Sequence, residues 1–185
     1  MKLKQSLIGA IVGGIIIFTW QFLSWSLLDM HTSGTQYTPL QDSILHYLET
    51  SGLEEGAFFM PGVQPGSSME DYERVSEENA GKPWAQLSYH KVNNTDMVMN
   101  QIRGLVVNIV MVGLLIWIIG RYSKPTFTTT FFTCLFIGCI SFLNSAYTQH
   151  IWFQTFDLYA HLVDALVAWS VCGVWLGWWL KRKKG

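Results

Sequence analysis

Charge is what this 185-residue chain has least of: Asp, Glu, Lys and Arg make up 14% of it, against 50% hydrophobic residues. The scarcity is local, because residues 5–28, 104–120, 125–156 and 165–180 contain none of the four. A polypeptide with such stretches does not read as one soluble domain. Cysteine is also sparse. Cys134, Cys139 and Cys172 all fall inside apolar stretches, so no disulfide framework is available to the polar part of the chain. Cys134 and Cys139, five positions apart, point in different directions on a helix and do not make a metal pair. There is no HExxH, no paired CxxC and no glycine-rich phosphate loop, so no cofactor is expected and no nucleic acid. No internal repeat is present, nor the matched broken helices of an inverted-repeat transporter.

What is present is length without charge. A hydrocarbon core about 30 Å thick needs roughly 20 helical residues at about 1.5 Å each. The four uncharged stretches therefore predict four transmembrane helices, over residues 6–28, 100–120, 126–147 and 158–180. Lys2 and Lys4 ahead of an apolar run could also open a secretory signal. The apolar character continues through Trp20, Phe22, Trp25 and Leu28, however, with no small-x-small cleavage site before Asp29, which predicts a retained anchor.

Basic residues set the orientation of short loops. Lys2 and Lys4 precede the first helix, Arg121 and Lys124 separate the second from the third, and Lys181, Arg182, Lys183 and Lys184 follow the fourth. With four crossings these groups share one side, and all thirteen acids lie between Asp29 and Asp164. Both termini are thus expected in the cytoplasm of a multi-pass protein of the inner (plasma) membrane. The basic tail, directly after Trp178, Trp179 and Leu180, reads as a stop-transfer anchor beneath an aromatic belt.

The organisation expected is residues 1–28 as the first helix with its cytoplasmic N-terminus, residues 29–97 as an extracytoplasmic cap, and residues 98–185 as helices two to four with a cytoplasmic basic C-terminus. The fold class is an all-α four-transmembrane-helix bundle with a small α+β cap between helices one and two. Within the cap, Thr38-Pro39 opens a helix whose Leu40, Ile44, Leu45 and Leu48 recur at helical spacing, with Gly52 as its stop. Residues 57–60 form a short strand closed by Pro61-Gly62. Ser67 and Ser68 ahead of Glu70 and Asp71 give a capping-box pattern for a second helix. Residues 84–92 alternate as a second strand.

Ionisable and polar residues at membrane depth are costly and therefore informative. Asp157, His161 and Asp164, at offsets of four, three and seven, share one helical face, with Asp164 roughly 9 Å inside the helix start. Arg103 and Asn108 fall in the outer half of helix two, Asn144 and Tyr147 at the outer end of helix three, and Gln21, Ser24, Asp29 and His31 at the outer end of helix one. Three readings follow. In the first, Asp157 caps helix four, Asp164 pairs with Arg103, and Asn108 and Asn144 are interhelical glue. In the second, His161 and Asp164, joined by His31 or His150, form a metal or proton-handling site. In the third, these groups line a pocket for a lipid or quinone headgroup. Trp20, Trp25, Trp84 and Trp152 divide the same way between an aromatic belt and a ligand pocket.

The run Trp20-Gln21-Phe22-Leu23-Ser24-Trp25, then Asp29-Met30-His31, Gly56-Ala57-Phe58-Phe59-Met60-Pro61-Gly62 and Asp164-Ala165-Leu166-Val167-Ala168-Trp169, resembles a group of small bacterial four-helix inner-membrane proteins. That resemblance implies a bacterial inner membrane and four crossings, and it brings no activity or catalytic residues. The leading expectation is a non-enzymatic accessory or scaffold protein presenting a polar site and an acidic cap, eleven acids against three bases over residues 29–96, to a lipid, a protein partner or a second copy. The alternatives are a small membrane enzyme or metal-binding protein using His161 and Asp164 in the outer leaflet, and a subunit of an oligomeric transporter.

Overall fold

The computed structural model describes residues 3–123 and 125–181. Lys2, Lys124, Arg182, Lys183 and Lys184, which the topology argument also uses, lie outside the described residues. In chain order the elements are α1 (Leu3–Ser26), α2 (Gln41–Thr50), β1 (Gly56–Met60), α3 (Met69–Glu78), β2 (Ala85–Tyr89), α4 (Met97–Ile119), α5 (Phe127–Phe142), α6 (Thr148–Trp152) and α7 (Leu158–Lys181). A 3-10 turn at Thr32–Gly34 follows α1, and a π-helical turn at Leu143–Tyr147 joins α5 to α6 in one apolar helix, Phe127–Trp152. With α1, α4 and α7 this makes four helices, among the described residues, long and apolar enough to cross a membrane.

The chain divides into two compact units, one of residues 37–94 and one containing everything else. The small unit pairs β1 with β2 antiparallel, from Gly56 opposite Tyr89 to Met60 opposite Ala85. Its α3 starts on a complete capping box. Ser68 Oγ accepts the Asp71 N–H at 3.2 Å, and the Asp71 carboxylate accepts the Ser68 N–H at 3.2 Å. Helix α2 begins at Gln41, slightly later than the Thr38-Pro39 signal implies, because Thr38 Oγ1 bonds the Leu40 N–H (3.3 Å) inside a turn that precedes the helix.

In the helical unit α1 is central, packing on α4 and on α7, while α5 packs on α7. The contacts fix the directions. Trp179 Nε1 donates to the Gln5 carbonyl at 3.0 Å, so the start of α1 meets the end of α7. A Cβ on Gly177 would lie 2.7 Å from the Phe127 ring, and one on Gly9 would lie 2.9 Å from Ile116. The starts of α1 and α5 and the ends of α4 and α7 therefore share one end of the unit, where the described bases Lys4, Arg121 and Lys181 also lie. Glycine permits the closest approach at Gly14, where a Cβ would sit 2.7 Å from the Ile109 backbone. Between the two ends the interior is apolar: Ile17, Val112, Leu115, Ile116, Ile119, Cys134, Cys172 and Leu176 are all buried. Burying such side chains contributes about 25 cal/mol per Å² relative to water, but relative to lipid the gain comes from close packing.

Candidate functional site

The segment after α1, residues 29–36, folds with the helices although its sequence reads as part of the cap. The end of α1 explains how. Leu27 and Leu28 both return their N–H groups to the Leu23 carbonyl (3.1 and 2.9 Å), and Met30 returns its own to Ser24 (3.2 Å). Asp29 takes a left-handed conformation, φ 49°, which Asp tolerates better than most residues. The chain doubles back, and His31 enters the bundle with only 2% of its surface exposed.

There it meets the face of α7 that its sequence spacing predicts. His31 Nδ1 lies 2.9 Å from Asp157 Oδ2, and His31 Nε2 lies 3.0 Å from Asp164 Oδ2. His161, one turn beyond Asp157, brings Nε2 to 3.3 Å from the same Asp157 Oδ2. The other oxygen of Asp164 accepts the Trp20 indole N–H at 2.9 Å. Trp25 stacks flat on the His31 ring, 3.9 Å between centroids and 5° from parallel, and His161 stands edge-on to it at 4.7 Å. Two contacts hold the returning segment down. Ser33 Oγ donates to the Phe156 carbonyl (3.0 Å), and Gly34 lies so close to Asp157 that an added Cβ would fall 2.7 Å from its carboxyl carbon and displace that side chain.

The two nitrogens of His31 define the chemistry. A neutral imidazole has one N–H, yet both nitrogens face carboxylate oxygens. The ring can be an imidazolium donating at both, or one nitrogen can offer its lone pair, to a protonated carboxyl group or to a cation shared with its neighbours. The donor set is compatible with the last of these. His31, Asp157 and His161 each offer one ligand atom, and these atoms lie within 4.8 Å of one another. Two imidazoles and a carboxylate match the donors of zinc-type sites. With no cation bound, burial would raise the Asp157 carboxyl pKa, but the His31 hydrogen bond and a positive charge on His161 hold it below the ordinary carboxylate value.

The remaining expected residues are placed elsewhere. Arg103 is exposed on α4 with no hydrogen bond or ion pair among the described residues, and Asp164 is engaged by His31 and Trp20 instead. Asn108, 2% exposed, donates to Gln21 Oε1 at 2.7 Å and joins α4 to α1. Asn144 lies exposed in the π-helical turn and has no partner among the described residues. His150 Nδ1 accepts the Thr155 N–H (3.1 Å), which closes the turn before α7 and keeps that ring out of the cluster. Sequence spacing finds Asp157, His161 and Asp164 but gives Asp157 only a capping role. The parts of Trp20 and Trp25 have no sequence signal that separates them from an interface belt. In comparisons with protein-family models, curated protein sequences and solved structures, nothing matches the chain.

Proposed function

We propose that this chain is a four-span protein of a bacterial inner membrane, with both termini cytoplasmic, that binds a divalent transition-metal ion at the extracytoplasmic end of its helices. Its ligands are His31 Nδ1, Asp157 Oδ2 and His161 Nε2. The observation that carries this reading is the convergence of those three donor atoms within 4.8 Å. The orientation rests on the basic residues gathered at the opposite helix ends. A nitrogen-rich set with one carboxylate favours zinc and its neighbours over calcium or magnesium, which prefer oxygen. Asp164, hydrogen-bonded to the far nitrogen of His31, supplies the outer partner that metal-bound histidines almost always have.

The test is metal analysis of the protein purified in detergent after dialysis against zinc. The expected result is stoichiometric zinc, lost in His31→Ala and in His161→Ala and retained in His150→Ala. A wild-type protein that emerges metal-free at saturating zinc overturns the reading.

A second reading has its own observation. Helix α2 buries none of its side chains, and Leu40, Ile44 and Leu45 stand exposed among acidic neighbours. That surface supports an accessory role in which the cap docks a partner protein. Crosslinking in intact cells tests it, with adducts expected from a photoreactive residue at Ile44 and none if the surface is merely solvated.

A further inference from the structure

We infer that the metal centre is an open one: an ion held by His31, Asp157 and His161 keeps a coordination position for water or a small anion from solution, and Asp164 is a positioning residue rather than a fourth ligand. This inference rests on the metal reading above. Zinc-type ions take four ligands when the site is structural and three protein ligands plus an exchangeable one when it is not. Among the described residues the cluster contains three ligand-bearing side chains. The nearest further carboxylate, Asp164, is committed twice, with Oδ1 accepting from Trp20 at 2.9 Å and Oδ2 facing His31 Nε2 at 3.0 Å. Swinging it onto the ion would strip a partner from the indole N–H and from the His31 N–H, each in a largely buried setting. His150 is held by the Thr155 N–H.

Access and charge agree with an open position. Trp25 covers one face of His31, and the His31 and Asp157 side chains are 2% and 10% exposed, whereas the His161 side chain is 36% exposed. The side toward solvent is therefore that of His161. Two neutral imidazoles, one carboxylate and a dication leave one net positive charge in the inner shell, which favours an anionic fourth ligand such as hydroxide, azide or a hydroxamate. Asp164 fixes the tautomer of His31, keeping the proton on Nε2 and the lone pair of Nδ1 on the ion.

Cobalt(II) substitution of the full chain in detergent tests this, because its visible d–d bands report coordination directly. The expected result is a cobalt spectrum that shifts saturably and reversibly on addition of azide and, separately, of acetohydroxamate. In Asp164→Asn the cobalt affinity should fall about 10–100-fold while the band pattern of the loaded protein and its azide response stay as in wild type. Cobalt that binds wild type with bands indifferent to both anions overturns the open centre and leaves the metal reading standing. A changed band pattern in loaded Asp164→Asn, before any azide, makes Asp164 a ligand and also overturns it. No cobalt binding by wild type overturns the metal reading itself.

Discussion

His31 and Asp164 are 133 positions apart in the chain and meet at 3.0 Å, ring nitrogen to carboxylate oxygen, inside the helical unit. The same ring touches Asp157 at 2.9 Å on its other side. One imidazole thus ties the exit of α1 to the first two turns of α7 and separates two carboxylates that would otherwise face each other across a largely buried space. This is a costly arrangement to break from the middle, since removing the shared partner leaves uncompensated charge.

His31→Ala should therefore destabilise the protein even without metal, by about 3–5 kcal/mol, the usual cost of breaking a buried pair at one side. Unfolding followed by tryptophan fluorescence in mixed detergent, with a chelator present, measures it. A loss below about 1 kcal/mol, the range of solvated ion pairs, would show that water reaches both carboxylates.

The four helices and most of the cap are legible in the sequence because their signals are local. Uncharged length marks the helices, and Ser68 with Asp71 marks the start of α3. The pairing of β1 with β2 is not legible, since Gly56 and Tyr89 are joined only by tertiary structure. The site divides along the same line. Asp157, His161 and Asp164 share a face of one helix and can be found by counting. The approach of His31 depends on a left-handed Asp29 and on a glycine at position 34, neither of which carries a periodic signal. Arg103 is the natural partner for Asp164 by charge alone, yet it stays exposed on α4, and the buried ring with two nitrogens takes its place.

Glycine contacts between helices give a prediction of contrasting sign. At Gly14 an added methyl would sit 2.7 Å from the Ile109 Cα and N, backbone that cannot step aside. Gly14→Ala should cost roughly 1–3 kcal/mol by forcing α1 and α4 apart. At Gly104 the nearest atom would be a Phe18 ring carbon at 3.6 Å, an ordinary contact. Gly104→Ala should be neutral or stabilising by up to about 1 kcal/mol, from helix propensity. Equal losses in the two variants would sink the packing argument.

The capping box of α3 has a consequence in pH. Hydrogen bonds from the Ser68 hydroxyl and backbone, with the Arg74 charge, hold the Asp71 carboxyl below its ordinary value of 3.8. A depressed carboxylate pKa means the cap's contribution is fully present above that ordinary value and is lost as pH falls through the lower, folded one. Carboxyl NMR titration of the full chain should show Asp71 titrating below its ordinary value, and Ser68→Ala should bring it back toward that value. An unchanged Asp71 in that variant would leave the capping box without an electrostatic role.

Orientation can be read with single cysteines, because Cys134 and Cys172 are fully buried and Cys139 is half-buried in an apolar helix. Ser51, exposed after α2, and Ser123, exposed after α4, lie on opposite sides of any membrane that α4 crosses alone. If the basic helix ends are cytoplasmic, a membrane-impermeant maleimide should label Ser51→Cys in cells with a permeabilised outer membrane. It should label Ser123→Cys only once the inner membrane is opened. The reverse pattern would put the His31 cluster in the cytoplasm, where the ion would have to come from a tightly buffered pool. Labelling of both positions from outside would mean that α4 does not cross at all. The placement of the basic residues makes the first outcome the expected one, since the N-terminal segment, the loop after α4 and the C-terminal tail all favour the same side and no acidic residue accompanies them.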